Sequence, residues 1–405
     1  MPVSYRNSEA AAPVMQGTPV PPEWRIPPAG YDTPPFNRWT FQNMRQVART
    51  ADIPRGATVW DMPGAAQDVD DVRFDAPSGP TTWARMLDDT YTDATVIWHD
   101  GRILVEQYFN GMTPRRQHIV FSMSKSLTSA VAGCLIGDGL IDPAAPVTGY
   151  VPDLARTAWN GASVQQVLDM TTGVVFDETY DDPGAEVWRL DVAAGLRPAP
   201  PDMTDPPDTI RDLILWLTAS EAEHGARFSY RSIETEVLSM ILEAATGQNF
   251  IPMMSERLWA PMGAEEDAFI VVDRAEFGLS DGGICASLRD MARFGRLLLE
   301  DGRREGRQIV PPDYIADIRA GDHGLFDDHG RALFPEGRYR NMFWIPDRDR
   351  PGHLCLGIHG QHVWVDPERG LVAVKLSSQP EAVSDEKHHL GDWMAGVDAV
   401  LAAHG

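Results

Sequence analysis

Apolar and polar positions divide the chain into strands, then helices, then strands again. Ala94 to His99 and Arg102 to Phe109 are strand-like runs separated by Asp100-Gly101, a strong hairpin signal because both residues tolerate the positive φ of a tight turn. Leu127, Ala130, Val131, Cys134 and Leu135 follow helical spacing and mark a buried helix that opens near Ser122. Asp142-Pro143 and Val151-Pro152-Asp153 read as turns. From about 143 to 285 the pattern is mostly helical with long loops, in Val164 to Met170, Ile210 to Thr218, Glu234 to Ala245 and Ile251 to Leu258. His362 to Asp366 and Leu371 to Leu376 flank Pro367-Glu368-Arg369-Gly370 as a second hairpin, and Gly391 to Ala403 closes as a helix.

That order predicts an α+β fold: an antiparallel sheet flanked by helices, built from both chain ends, with a mostly helical domain inserted. Residues 1–36, rich in Pro, Gly and Ala and without periodicity, read as an extended arm draped over the fold. Residues 37–142 plus 286–405 are expected to form an α/β domain and 143–285 the helical one. A chain of 405 residues exceeds the usual limit of a single core, which favours two lobes.

The formal charge of −24 argues against nucleic acid, whose phosphates need basic patches, and against anionic membrane surfaces. No segment reaches the ~18 apolar residues of a membrane span. Cys134, Cys285 and Cys355 lie far apart in apolar settings and read as free buried thiols in a reducing compartment. The segment Met1-Pro2-Val3-Ser4-Tyr5-Arg6 lacks a basic region followed by an apolar stretch, so the expected localisation is cytoplasmic.

The candidate chemistry comes from the lysines. Only three of the 35 basic residues are Lys, at 125, 375 and 387. Arg cannot give up its proton, so a retained Lys is a candidate for a group that must. Lys125 and Lys387 each follow a serine by three residues, a spacing that puts both side chains on one helix face. Ser384-Asp385-Glu386-Lys387 reads as a helix start, with acids that suit the dipole. Ser122-Met123-Ser124-Lys125-Ser126 instead opens the buried helix, where Ser122 is either a nucleophile activated by Lys125 or an ordinary N-cap. Tyr230 and Ser232, in Phe228-Ser229-Tyr230-Arg231-Ser232, share a loop face; Tyr230 suits a proton relay, with a core tyrosine and a capping serine as the plainer alternative. Gly357-Ile358-His359-Gly360-Gln361 enters the second hairpin and offers either a backbone N–H to a substrate or a simple turn. No G-x-S-x-G, H-E-x-x-H, C-x-x-C, Walker A or G-x-G-x-x-G motif occurs, and His359-x-x-His362 lacks companions for a metal. Neither metal nor cofactor is expected.

With Ser-x-x-Lys, a tyrosine loop and a glycine-containing strand in that order, the chain resembles the serine β-lactamase and penicillin-binding superfamily. Pro34-Pro35-Phe36-Asn37-Arg38-Trp39, Asp177-Glu178-Thr179-Tyr180-Asp181-Asp182-Pro183, Gly357 to Gln361 and Val374-Lys375-Leu376-Ser377-Ser378 are similar to the 6-aminohexanoate-dimer hydrolases, nylon-oligomer amidases, and to their family VIII carboxylesterase relatives. The resemblance implies a β-lactamase/transpeptidase-like fold with the site between its two domains, and hydrolysis through an acyl-enzyme. By position it makes Ser122 the nucleophile, Lys125 its neighbouring base, and Tyr230 a partner in proton transfer, with Ser232 lining the cleft. Desolvation and neighbours in the cleft would keep Lys125 neutral, and the immediate base is either Lys125 or an ionised Tyr230. The N–H groups of Ser122 and Ile358 would form the oxyanion hole. Tyr180 falls on a loop tyrosine that closes over substrate, Asp191 on an acidic position facing the substrate's amino end, Trp344 on the acyl-pocket wall, and Asp281 on a position that varies. His359 stands where antibiotic-acting members carry a cation, and as a neutral group it replaces that cation poorly, so β-lactam and peptidoglycan chemistry are not expected. The expected partner is a small amide or ester, with Asp181, Asp182 and Asp191 suiting a cationic amino end; a second copy of the chain is a candidate homodimer partner. An esterase with the same machinery and a catalytically silent binding protein stay open as alternatives.

Overall fold

The structure is a computed structural model describing residues 12–326, 328–383 and 386–405. Its large sheet consists of β1 (Thr92–His99), β2 (Arg102–Tyr108), β3 (Arg338–Arg340), β4 (Phe343–Ile345), β5 (His353–Gly357), β6 (Gln361–Asp366) and β7 (Leu371–Ser377). The strands lie in the order β3-β4-β5-β6-β7-β1-β2 with every neighbour antiparallel. The two chain ends meet where β7 pairs with β1, Leu371 opposite His99 and Lys375 opposite Thr95. The first hairpin forms as its sequence demands: Asp100 has φ of 46° and Gly101 of 84°, the pair of positive angles that matches strand twist.

Four helices matter for the site: α1 (Met123–Gly137), α2 (Ile233–Thr246), α3 (Leu288–Leu299) and α4 (Glu386–His404). Side chains alternate across a strand, so β6 shows Val363 and Val365 to one face and His362 and Trp364 to the other. On the first face α3 approaches so closely that a Cβ on Gly295 would lie 2.4 Å from Val372. On the second, Trp393 of α4 packs against the rings of His362 and Trp364, at 5.4 and 6.4 Å between centroids. Ser384 and Asp385, with the helix-start reading placed on them, lie outside the described residues.

A second sheet joins segments that are far apart in sequence, in the order Thr50–Ile53, Ala268–Val271, Ile284–Ser287, Gln117–Ile119. Ala268–Val271 thus pairs as a strand inside a stretch whose pattern reads as mostly helical. Between residues 12 and 36 the chain has a single short turn of 3-10 helix, Pro22–Trp24, and buries Val14 and Tyr31 against the body. Among the described residues no helix is long and apolar enough to cross a membrane, and no three His, Cys, Asp or Glu side chains are grouped to hold a metal.

Candidate active site

Ser122 stands just after a forced turn. The strand Gln117–Ile119 pairs with Ile284–Ser287, and Val120 N–H donates to Ile284 O at 2.9 Å, which carries the chain to Phe121. Phe121 has φ of 45°, a left-handed conformation costly for a bulky side chain. Contacts with the rings of Phe41 and His359, at 4.9 and 5.4 Å, hold it there. Strain of this kind persists only where packing over-determines it, and it commonly serves to aim a neighbouring group. The helix that follows is buried on all sides from Met123 to Leu135. Ser122 makes no capping hydrogen bond, so the N-cap alternative fails and its Oγ is left for other partners.

One helical turn on, Lys125 Nζ donates to Ser122 Oγ at 2.8 Å, to Asp281 O at 3.1 Å and to Asp281 Oδ2 at 3.3 Å. Tyr230 stands beside this pair: its ring centroid is 5.3 Å from Lys125 Nζ, its ring stacks on Trp344 with centroids 5.4 Å apart, and its hydroxyl interacts with Ser122 and Lys125. Ser232 likewise does not cap its helix. Its N–H and hydroxyl turn instead to the carboxylate of Glu178, the N–H at 2.9 Å, and the Tyr180 hydroxyl reaches the same carboxylate at 2.7 Å.

These groups decide each other's charge. Burial acts most strongly on Lys125 and disfavours its ammonium, but the acidic groups Tyr230, Asp281 and Glu178 outweigh it and raise the pKa above the ordinary lysine value. That direction favours the ammonium of Lys125. Desolvation, expected to keep Lys125 neutral, is opposed here by acids that the tertiary fold gathers around it. Burial raises Tyr230 above its usual range, with Lys125 and the Ser122 hydrogen bond pulling the other way. Glu178 is raised by burial and held back by Lys125, Ser232 and Tyr180.

Two cleft arms meet at Ser122, Tyr180 and Ile358. One is aromatic and aliphatic, walled by Tyr230, Leu333, Trp344, Leu356 and Val383. The other carries charge, with Tyr31, Asp32, Trp188, Asp191, Ser232 and Asp281 on its walls. Asp191 does line this arm, but Arg197 already holds it, at 2.9 Å through Nε and 2.8 Å through Nη2. The same guanidinium reaches Asp32 Oδ2 at 2.9 Å, and the Tyr31 hydroxyl donates to Asp191 at 3.4 Å. Burial, partly offset by Arg197, moves the Asp191 carboxyl up to about 6. At neutral pH two carboxylates and one guanidinium leave this cluster one net negative charge, so Asp191 does not act as a free acid. Asp181 and Asp182 sit on an exposed turn outside both arms.

The beta-lactamase family model matches residues 83–393, most of the chain. This chain belongs to the beta-lactamase family. It is a serine hydrolase with the β-lactamase/transpeptidase-like fold, and its mixed helices and antiparallel sheets agree with that assignment. The 6-aminohexanoate-dimer hydrolase of Paenarthrobacter ureafaciens is 37% identical over 361 residues, 88% of each chain. A Bacillus anthracis structure described as a candidate 6-aminohexanoate-dimer hydrolase superposes with a TM-score of 0.85 at 29% identity, covering 95% of this chain and 98% of its own. The hydrolase EstCE1, with promiscuous acyltransferase activity, shares the fold at a TM-score of 0.61 and 16% identity, over 78% of this chain and 98% of that one.

Of the positions singled out in this family member, Ser122, Lys125, Tyr230, Ser232, Asp281, Tyr180, Trp344 and Ile358 all reach the cleft or the cluster beneath it, whereas His359 does not. With φ of 60°, His359 supports the turn after β5: its N–H donates to Ala382 O at 2.8 Å and its Nδ1 lies 2.8 Å from Gln379 O. Burial lowers its pKa, so it is neutral. Among the described residues the Ile358 N–H has no backbone acceptor and is available to a ligand. Sequence reading passed over Glu178, Glu236, Arg197 and Asp32. Glu236 carried a signal, an acid between Thr235 and Val237 in an apolar helix, where a charge needs a partner.

Proposed function

We propose that the chain hydrolyses amide bonds of short linear oligomers of the 6-aminohexanoate-dimer type through an acyl-enzyme on Ser122. The observation that carries this reading is the 2.8 Å contact between Ser122 Oγ and Lys125 Nζ, beside the Tyr230 hydroxyl, where two cleft arms meet. The name of its 37% identical relative supports the substrate class. The acyl part lies in the arm of Trp344, and the amine part, with a cationic end, in the arm whose acids keep one net negative charge.

An ammonium cannot accept a proton, so Tyr230 takes the one on Ser122 as Oγ bonds to the carbonyl carbon, and Lys125 stabilises the phenolate that does this. The N–H groups of Ser122 and Ile358 hold the oxyanion, each donor contributing roughly 3 kcal/mol. Tyr230 then protonates the leaving nitrogen, the C–N bond breaks, and water activated in the same way releases the acid and restores Ser122. A mass spectrum taken during turnover should show an acyl adduct on Ser122, and Ser122→Ala should abolish both adduct and turnover. Retention of more than about a hundredth of the activity by Ser122→Ala would reject the nucleophile.

One observation favours a second reading, a carboxylesterase. Arg197 takes up much of the acidic charge that an amine end would use, and an activated serine cleaves esters more readily than amides. Parallel assays on a short-chain p-nitrophenyl ester and a linear aminohexanoate dimer separate the two. The reading also places the protein in the cytoplasm, where its three buried thiols stay reduced, and takes a homodimer as the form to look for by sedimentation.

A further inference from the structure

Glu236 lies on α2 behind the contact between Lys125 and Asp281, and none of it is exposed. Its Oε1 accepts the Asp281 N–H at 2.8 Å, Ser280 Oγ lies 3.1 Å from its Oε2, and its carboxyl is in hydrogen-bond contact with that of Asp281. Asp281 Oδ2 faces Lys125, yet its Oδ1 is buried and meets no N–H or hydroxyl donor among the described residues. Two carboxylates touching away from water cannot both stay ionised, and a buried acceptor without a donor is costly. One proton between them resolves both problems. Asp281 has a cation beside it, whereas the hydrogen-bond partners of Glu236 are the Asp281 N–H and the Ser280 hydroxyl, both neutral. The proton therefore belongs to Glu236.

We propose that Glu236 is a positioning residue of the hydrolytic site: it stays protonated at neutral pH and donates to Asp281 Oδ1, so that Asp281 presents one fixed negative charge to Lys125. Burial, reinforced by the charge on Asp281, raises the Glu236 pKa well above the ordinary carboxyl value. The other charged or titratable neighbours lie beyond Lys125, namely Glu178 and Tyr230. Glu234, two residues back on α2, turns to Trp159 Nε1 at 2.8 Å and to Thr172, and takes no part in the shared proton. Were Glu236 ionised, it would repel Asp281 and disturb the charge that sets Lys125 against Ser122.

The inference rests on the reading of Ser122 and Lys125 above, but its first readout needs no turnover. Infrared spectra of the full-length protein at neutral pH should show the carbonyl band of a protonated carboxylic acid, lost in Glu236→Gln. Stability should follow: a carboxyl whose folded pKa is raised stabilises fully below its unfolded value and less as pH rises toward the folded one, so the wild-type Tm should fall relative to Glu236→Gln as pH rises above the ordinary carboxyl range. Glu236→Leu, which leaves Asp281 Oδ1 without a donor, should lower kcat by about tenfold or more, and Glu236→Gln, whose amide donates as the acid does, should recover most of that loss. The proposal is overturned if wild type lacks the acid band, or if Glu236→Gln keeps its Tm and loses activity about a hundredfold. Failure to trap an acyl group on Ser122 would defeat the underlying functional reading and leave the band unaffected.

Discussion

Among the described residues two lysines are buried, and their pKa values move in opposite directions. Lys125 is 1% exposed and Lys375 is 0% exposed. Burial is the largest effect on each and disfavours the ammonium of each. Lys375 sits in the middle of β7 with the Ser377 hydroxyl and the Thr90 carbonyl, at 3.3 Å, as its partners. Asp93 helps it only from a distance, because Arg38 and His118 already claim that carboxylate at 3.0 and 3.2 Å. Its pKa falls to about 7. Lys125 meets Asp281, Glu178 and Tyr230 and goes the other way. Burial thus sets the direction only where no acid stands in direct contact. The scarcity of lysine singled out Lys125, which the structure sets against Ser122, but the amine whose pKa falls to near neutrality is Lys375.

The largest effect that would break this contrast is expected at Lys125. Lys125→Met should lower kcat by about a thousandfold or more. It should also cost about 3 kcal/mol in urea unfolding, because a buried carboxylate loses its counter-ion. Wild-type turnover and stability in this variant would show that the charge is idle.

A smaller effect sharpens the role of the ammonium. Tyr230→Phe should cost about a hundredfold to a thousandfold in kcat/KM. Since the Tyr230 pKa lies above its usual value, the reactive phenolate is a minor form at neutral pH. Wild-type kcat/KM should then rise with pH through the neutral range, by up to about tenfold per unit, a rise that Tyr230→Phe lacks. A flat wild-type profile would return the base to Lys125.

The smallest effect on activity is expected at the second lysine. Lys375→Met should leave kcat within about twofold of wild type, because nothing in the cleft touches Lys375. Its folded pKa of about 7 lies below the ordinary 10.5, so wild type bears the full penalty of a buried ammonium below pH 7 and sheds it as pH climbs toward 10.5. The Tm of Lys375→Met should therefore equal or exceed that of wild type at pH 6 and lose ground to it at pH 9. The reverse trend would mean that Lys375 has an acid partner.

Local features of the fold were legible where the signal was local. The Asp100-Gly101 hairpin, the buried run after Ser122 and the helix after Ser232 depend on turn chemistry and on periodicity within a few residues, and each formed near its expected position. The Ala268–Val271 strand was not legible, because its partners, Thr50–Ile53 and Ile284–Ser287, come from elsewhere in the chain and a short apolar run fits helix or strand alike. The site divided along the same line. Ser122 and Lys125 share a helical turn and could be paired by spacing, and Tyr230 with Ser232 by loop face. Glu178, Glu236 and the Asp32–Arg197–Asp191 cluster needed contacts across 54, 45 and 165 residues.

The sequence by itself determined which amine and hydroxyl face each other, since a three-residue step in a helix leaves little freedom and three lysines leave few choices. The tertiary structure decided the charge on that amine. A pKa depends on which groups burial brings within a few ångströms, and Asp281, Glu178 and Tyr230 come from three separate segments that only the fold gathers around Lys125.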